Sequence, residues 1–414
     1  MPTRSALIAT AATLGLLLPI GCSDDDSAPD GADTEAAGTE ATGNDTSPST
    51  GASTATTTPS TTTGSSSETG STSEDTETGT DGSESSGDPG TDTDGGPGPV
   101  DDLEDWPQLY QDFITEAGGS KFVDVGDAVM HYVETGPADG EPVLLVHGIP
   151  TQAFLWRDVM PELTGKRVIA IDLIGYGRSE RPEGLPYTPA MQVEFLDAFA
   201  DELGLEGVHL VVQDLGGPVG LRWASENPDQ VASITMFETL WSTLPGLESL
   251  PPDFAMLIGA LRTDGVGEMM VAEQAVFLNA LDGLTFIELP EDIQEVYRHP
   301  WQEPQDRVDV FLPSGPRAFP FPDDPVATAF VGGYQEYLST TDTPKLVIDI
   351  FPGVLSNLEV APSAGGDPIR NAQFAATEFP NIELVELQNG AHFAQEDIPV
   401  ELGETINGFI DDLE

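Results

Sequence analysis

The chain has 414 residues, 38% of them hydrophobic, and carries 72 acidic against 14 basic side chains for a net charge of −58. That length suits one large domain or two ordinary ones with a packed core. So few Lys and Arg residues exclude binding to nucleic acid or an anionic membrane through a basic patch, and a single cysteine excludes an internal disulfide.

The first element, residues 1–21, reads as an export signal: Arg4, an apolar run from Ala6 to Ile20, then Gly21. The run is too short and too weakly flanked for a membrane span. Cys22 directly follows, which resembles a bacterial lipoprotein signal whose cysteine becomes the lipidated first residue; Pro19 stands where such signals more often carry Leu. The alternative is an ordinary cleaved signal with a stray cysteine. The expected location is therefore a bacterial membrane, outer membrane or cell surface, reached through a lipid anchor only. Residues 22–105 follow as a spacer. From residue 23 on it holds 21 acids and no Lys or Arg, too little apolar surface to offset its ordering entropy. The 51 remaining acids fall on the folding part, where they read as a solvated surface; no D-x-D-x-D-G loop marks a calcium site.

From residue 121 short β-branched runs alternate with stretches of helical period, the pattern of a mainly parallel sheet covered by helices. Strands are predicted at Lys121–Val125, Val129–Glu134, Pro142–His147, Arg167–Ile171, Val208–Gln213, Val231–Glu238, Lys345–Phe351 and Ile382–Leu387. Helices are predicted at Pro189–Leu203, Pro218–Asn227, Asn371–Phe379 and Val400–Leu413. The interval after Glu238 is too long for a simple crossover and contains helix-like stretches at Phe254–Leu261 and Gly267–Ala280, then a Pro-rich segment near Pro313–Pro325. We assign 106–238 and 340–414 to an α/β core with eight strands and 239–339 to an inserted helical cap.

The strongest local signal is VHLVVQDLGGPVGLRWA, 208–224, in which a buried strand runs into Asp214 and Gly216 and Gly217 permit a sharp turn into a helix. This is a strand–nucleophile–helix elbow with a carboxylate raised on it. A plain N-cap would also place Asp there, without explaining the apolar run or the paired glycines. A carboxylate is ionised at neutral pH and can displace a leaving group from an sp³ carbon, forming an ester. Breaking that ester takes a base-activated water and two backbone N–H donors for the oxyanion.

Of five histidines, His392 in LQNGAHFAQED lies between the last strand and the last helix, where the fold brings a base over the elbow. His147 shapes the loop whose Ile149 N–H, paired with that of Leu215, is the expected oxyanion donor; His131, His209 and His299 read as structural. The orienting acid is assigned to Glu238, a lone carboxylate behind the apolar run of the sixth strand, with Asp349 as competitor. Trp241, Phe277, Leu355 and Phe393 are the candidate pocket residues. No H-E-x-x-H spacing, dinucleotide fingerprint or phosphate loop is present, so neither metal nor cofactor is expected.

Together HGIPTQAFLWRDVMPEL, DLIGYGRSERP, VVQDLGGPVGL, PKLVIDIFPGVLSN and AHFAQEDIP resemble the haloalkane dehalogenases over some 290 residues from Lys121 onward. The Glu after strand six is similar to the subgroup that takes its triad acid there, which also includes coelenterazine-type luciferases. The resemblance implies the α/β-hydrolase fold, a small apolar substrate, and Asp214, His392 and Glu238 as nucleophile, base and orienting acid. It also implies two side-chain N–H donors for the departing halide, an Asn and a Trp, at positions held here by Ile149 and Leu215. Losing two charge-assisted donors of roughly 1.5–3 kcal/mol each costs on the order of hundreds-fold or more in rate, and leaves the backbone oxyanion donors untouched. Trp241 could supply a replacement from the cap. Three other readings stay open: an epoxide hydrolase using Tyr297, Tyr334 or Tyr337, an esterase or lactonase, and a surface protein that kept the scaffold without turnover.

Overall fold

The computed structural model describes residues 101–360, 367 and 369–413. The expected signal at 1–21, Cys22 and the spacer up to residue 100 lie outside the described residues.

Eight strands form one sheet: β1 Lys121–Asp124, β2 Val129–Thr135, β3 Pro142–Val146, β4 Arg167–Ile171, β5 Val208–Gln213, β6 Val231–Phe237, β7 Lys345–Pro352 and β8 Ile382–Gly390. Their spatial order is β1, β2, β4, β3, β5, β6, β7, β8. The pairings of β2 with β1 and with β4 are antiparallel, and the rest are parallel. Each strand lies where the β-branched runs place it, within three residues at its ends.

Central strands of such a sheet are covered on both faces and so read as unbroken apolar runs. In β5 every residue is buried. Alternate side chains still face opposite ways: Leu144 and Val146 join one core cluster, Val143 and Leu145 the other. The helices are α1 Gln108–Glu116, α2 Pro189–Glu202, α3 Gly216–Glu226, α4 Pro252–Leu261, α5 Val266–Ala272, α6 Val276–Ala280, α7 Glu291–Arg298, α8 Pro304–Ser314, α9 Pro325–Thr340, α10 Asn371–Glu378, α11 Ala394–Asp397 and α12 Pro399–Asp411. Side chains of α2, α3, α9 and α10 fill the first core cluster, those of α1 and α12 the second.

Three boundaries differ from expectation. Residues 101–105, assigned to the spacer, belong to the folded unit: Asp101 accepts from the buried Arg178 at 2.7 Å and from Trp106 at 2.6 Å. The stretch Gly267–Ala280 is two helices, broken where Ala275 takes the left-handed φ of 48°, a conformation that composition does not announce. Finally α9, mostly inside the segment assigned to the cap, packs along α3 and belongs with the helices that cover the sheet.

Candidate active site

The ends of β3, β5 and β6 lie side by side, because β5 pairs with both of the others. Asp214 follows β5 directly and takes φ 49°, and α3 starts two residues later at Gly216. An L-residue in that region costs about 1–3 kcal/mol, so its neighbours must hold it there. The Asp214 carbonyl accepts from Thr239 Oγ1 at 2.6 Å. The two glycines serve close approach rather than unusual φ: a Cβ on Gly216 would overlap the Val146 carbonyl, and one on Gly217 would overlap Thr239. A Cβ on Gly148 would overlap Asp214 itself.

Ile149 N–H, on the loop after β3, donates to Asp214 Oδ1 at 2.8 Å. His147 fixes that loop. Its Nε2 accepts from Leu173 N–H at 3.0 Å, so Nδ1 carries the proton shared with the Gly148 carbonyl at 2.9 Å; burial keeps the ring neutral by lowering its pKa. On the other side of the carboxylate, His392 Nε2 lies 3.2 Å from Asp214 Oδ2, and its Nδ1 lies 3.1 Å from Glu238 Oε2. Glu238 is fully buried and also adopts a left-handed φ, 45°. Three successive N–H groups, of Val354, Leu355 and Ser356, donate to its carboxylate at 2.9–3.1 Å. Gln213 Nε2 holds the His392 carbonyl at 3.0 Å.

The charges follow from these contacts. Burial opposes ionising Asp214, but the His392 hydrogen bond and charge and the N–H groups of Ile149 and Leu215 outweigh it and hold the carboxyl below its ordinary value. Burial likewise opposes charging His392, and Asp214 and Glu238 together override it, raising the imidazole to about 9. Both shifts favour the ion pair of an Asp214 carboxylate and an imidazolium in the resting site.

The other candidates sort cleanly. His131 pairs with the buried Asp172 at 2.7 Å, His209 Nδ1 bonds Ser233 at 2.8 Å, and His299 lies tilted against Trp106 with centroids 4.5 Å apart. Asp349, the competing acid, pairs with Arg370 instead; burial pushes its carboxyl up to about 6. None of the three tyrosines weighed for epoxide opening lines the cavity. Tyr297 donates to Glu396, Tyr334 to the Leu240 carbonyl at 2.8 Å, and Tyr337 meets Thr343 at 3.3 Å.

Over Asp214 and His392 lies a cavity of about 140 Å³. That is close to the roughly 150 Å³ apolar cavity able to hold benzene. Its wall includes Ile149, Leu215, Phe277, Ser314 and Leu355. Two expected pocket residues are corrected. Trp241 is fully buried with its indole N–H bonded to the Asn371 carbonyl at 3.1 Å, and Leu240 lines the cavity in its place. Phe393 packs edge-on to His392, centroids 4.8 Å apart, and belongs to the core on the other face of the sheet. Sequence reasoning missed Ser314, which carries no motif.

An acid on a strand–helix elbow, with a histidine and a backbone N–H on either side of it, defines an α/β-hydrolase. The family model described as alpha/beta hydrolase fold matches residues 141–282. A haloalkane dehalogenase of Agrobacterium fabrum is 34% identical over 285 residues, covering 68% of this chain and 88% of that protein. Another, of Mesorhizobium japonicum, is 33% identical, covering 69% and 89%. The crystal structure of a haloalkane dehalogenase from Agrobacterium tumefaciens C58 superposes with a TM-score of 0.64 at 32% identity, covering 72% of this chain and 99% of that one. The chain belongs to the haloalkane dehalogenase family of α/β-hydrolases. It is a haloalkane dehalogenase-like hydrolase.

Proposed function

We propose that the enzyme cleaves small apolar substrates through a covalent ester on Asp214. The observation that carries this is the Asp214 carboxylate held between Ile149 N–H at 2.8 Å and His392 Nε2 at 3.2 Å. Oδ2 attacks the sp³ carbon, the bond to the leaving group breaks with its electron pair, and Oδ1 becomes the ester carbonyl. Esterification removes the charge of Asp214, the strongest support for the imidazolium, so the His392 pKa falls, the ring gives up its Nε2 proton to solvent, and the neutral imidazole can act as base. It then takes a proton from water, which attacks Cγ of Asp214. The oxyanion on Oδ1 is stabilised by the N–H groups of Ile149 and Leu215, and Glu238 stabilises the imidazolium. Collapse releases the alcohol and regenerates the carboxylate.

Ile149 and Leu215 stand in the cavity wall with aliphatic side chains, so halide departure lacks the Asn and Trp donors the family pattern implies. Dehalogenation is accordingly slow relative to ester breakdown. The decisive experiment is single turnover of brominated alkanes, epoxides and esters in ¹⁸O-labelled water, with mass analysis of the Asp214 peptide. Label in that peptide supports the ester route; its absence after turnover refutes it. The cavity tyrosines that epoxide opening needs are missing among the described residues, which favours halide over epoxide.

We further propose that Cys22 carries a lipid anchor and that the acidic segment after it spaces the enzyme from a bacterial membrane. The apolar run ending in Gly21–Cys22 supports this. Among the described residues no helix is long and apolar enough to cross a membrane. Expression with an alkyne fatty acid tests the anchor: labelling of the wild type and none of Cys22→Ser is expected.

A further inference from the structure

If Ile149 and Leu215 cannot receive a leaving group, something else on the cavity wall must, or the departing anion meets hydrocarbon alone. The lining side chains are almost all aliphatic, aromatic or Pro. Besides Asp214, which attacks, and His392, which serves the second step, one residue with a polar side chain remains among the described lining residues: Ser314, the last residue of α8. Its neighbour Gly315 approaches Ile149 so closely that a Cβ would come within 2.6 Å of the Ile149 Cδ1, so the end of α8 packs beside the residue that replaces the family's Asn.

The Ser314 hydroxyl is not isolated. Oγ donates to the Val310 carbonyl at 2.5 Å, and Tyr176 OH lies 2.8 Å from the same oxygen. A serine has one proton, and Val310 takes it, so the tyrosine is the donor in that pair. Tyr176 is fully buried and its ring lies against Trp301, with centroids 5.4 Å apart. The bond from Tyr176 polarises the Ser314 O–H and makes it a stronger donor than a serine alone.

We propose that Ser314, backed by Tyr176, is the leaving-group donor of this enzyme: its O–H turns from the Val310 carbonyl to the halide as the carbon–halogen bond breaks. The halide departs with the bonding pair, Asp214 Oδ2 gains the carbon, and Ser314 keeps its proton. A halide needs a hydrogen bond and no proton, which suits a relay whose end is a buried phenol. Burial raises the Tyr176 pKa, the Ser314 hydrogen bond lowers it and the nearby Asp214 charge raises it again, with the net shift upward, so Tyr176 stays protonated and keeps donating to Ser314. The inference rests on the Asp214 ester reading and adds the residue that selects the leaving group.

The test compares wild type, Ser314→Ala, Ser314→Thr and Tyr176→Phe on 1-bromo-, 1-chloro- and 1-iodoalkanes. Alkylation and ester breakdown are followed separately in single turnover. Ser314→Ala should slow alkylation about tenfold to a hundredfold, more for chloride than for iodide, while the ester decays at the wild-type rate. It should also weaken product inhibition by bromide. Ser314→Thr, which retains the hydroxyl, should restore most of the rate, and Tyr176→Phe should fall between. Unchanged alkylation in Ser314→Ala, or equal slowing of both steps, overturns the proposal. Label in the Asp214 peptide from ¹⁸O-water with no halide release from any substrate overturns it while sparing the ester reading. No label after turnover removes both.

Discussion

Ile149 acts on Asp214 through its backbone and on the cavity through its side chain: the N–H is 2.8 Å from Oδ1, and the sec-butyl group forms part of the wall. The two roles are independent, because any residue but Pro brings the same N–H. A substitution that alters leaving-group binding therefore spares oxyanion stabilisation.

Ile149→Asn should accordingly raise bromide release by about tenfold or more, from one charge-assisted hydrogen bond of roughly 1.5–3 kcal/mol. Adding Leu215→Trp should raise it further. Measured by halide titration, the gain should appear in alkylation and leave the decay of the ester unchanged.

His392→Gln removes the base and its charge but leaves Asp214 its Ile149 and Leu215 N–H donors, so attack is still expected. Incubated with a bromoalkane, it should accumulate the alkylated Asp214 peptide at near-stoichiometric yield, seen as one alkyl mass increment on the intact protein. Asp214→Asn should show neither increment nor turnover.

Trp241→Phe separates pocket from scaffold. The indole N–H is bonded to the Asn371 carbonyl inside the core. Turnover of brominated alkanes should stay at the wild-type level while stability falls by about 1–3 kcal/mol, read from the denaturant midpoint.

The Asp214–His392 pair links stability to pH. His392 is raised in the folded state to about 9, so its contribution is complete below its ordinary value near 6.5 and is lost as pH climbs through 9. Asp214 is lowered, so its contribution is present above the ordinary carboxylate range and fades as the solution is acidified below it. Tm should fall by several degrees between pH 7 and 10, and the Asp214→Asn variant should lose most of that slope.

The positions of the strands were readable because the apolar runs are short and rich in β-branched residues, and the elbow was readable because paired glycines follow its acid. Directions of single side chains were not. Glu238 turns the chain with a φ of 45°, which shifts the facing of the residues after it: Leu240 reaches the cavity and Trp241 the core. Phe393 follows the catalytic candidate His392 in sequence yet packs away from the substrate side. Ser314 was illegible for another reason: a lone serine at a helix end is ordinary in any sequence, and only its place in a largely apolar wall singles it out.

The turn Val354–Ser356 presents three consecutive N–H groups to one carboxylate. Such a run is an anion receptor in its own right. The fold thus holds a socket for negative charge beside His392 Nδ1, and the side chain of Glu238 is its plug. A diffusible carboxylate fits the same socket: in Glu238→Ala, formate should restore part of the lost ester hydrolysis, saturably, where chloride at equal ionic strength does not.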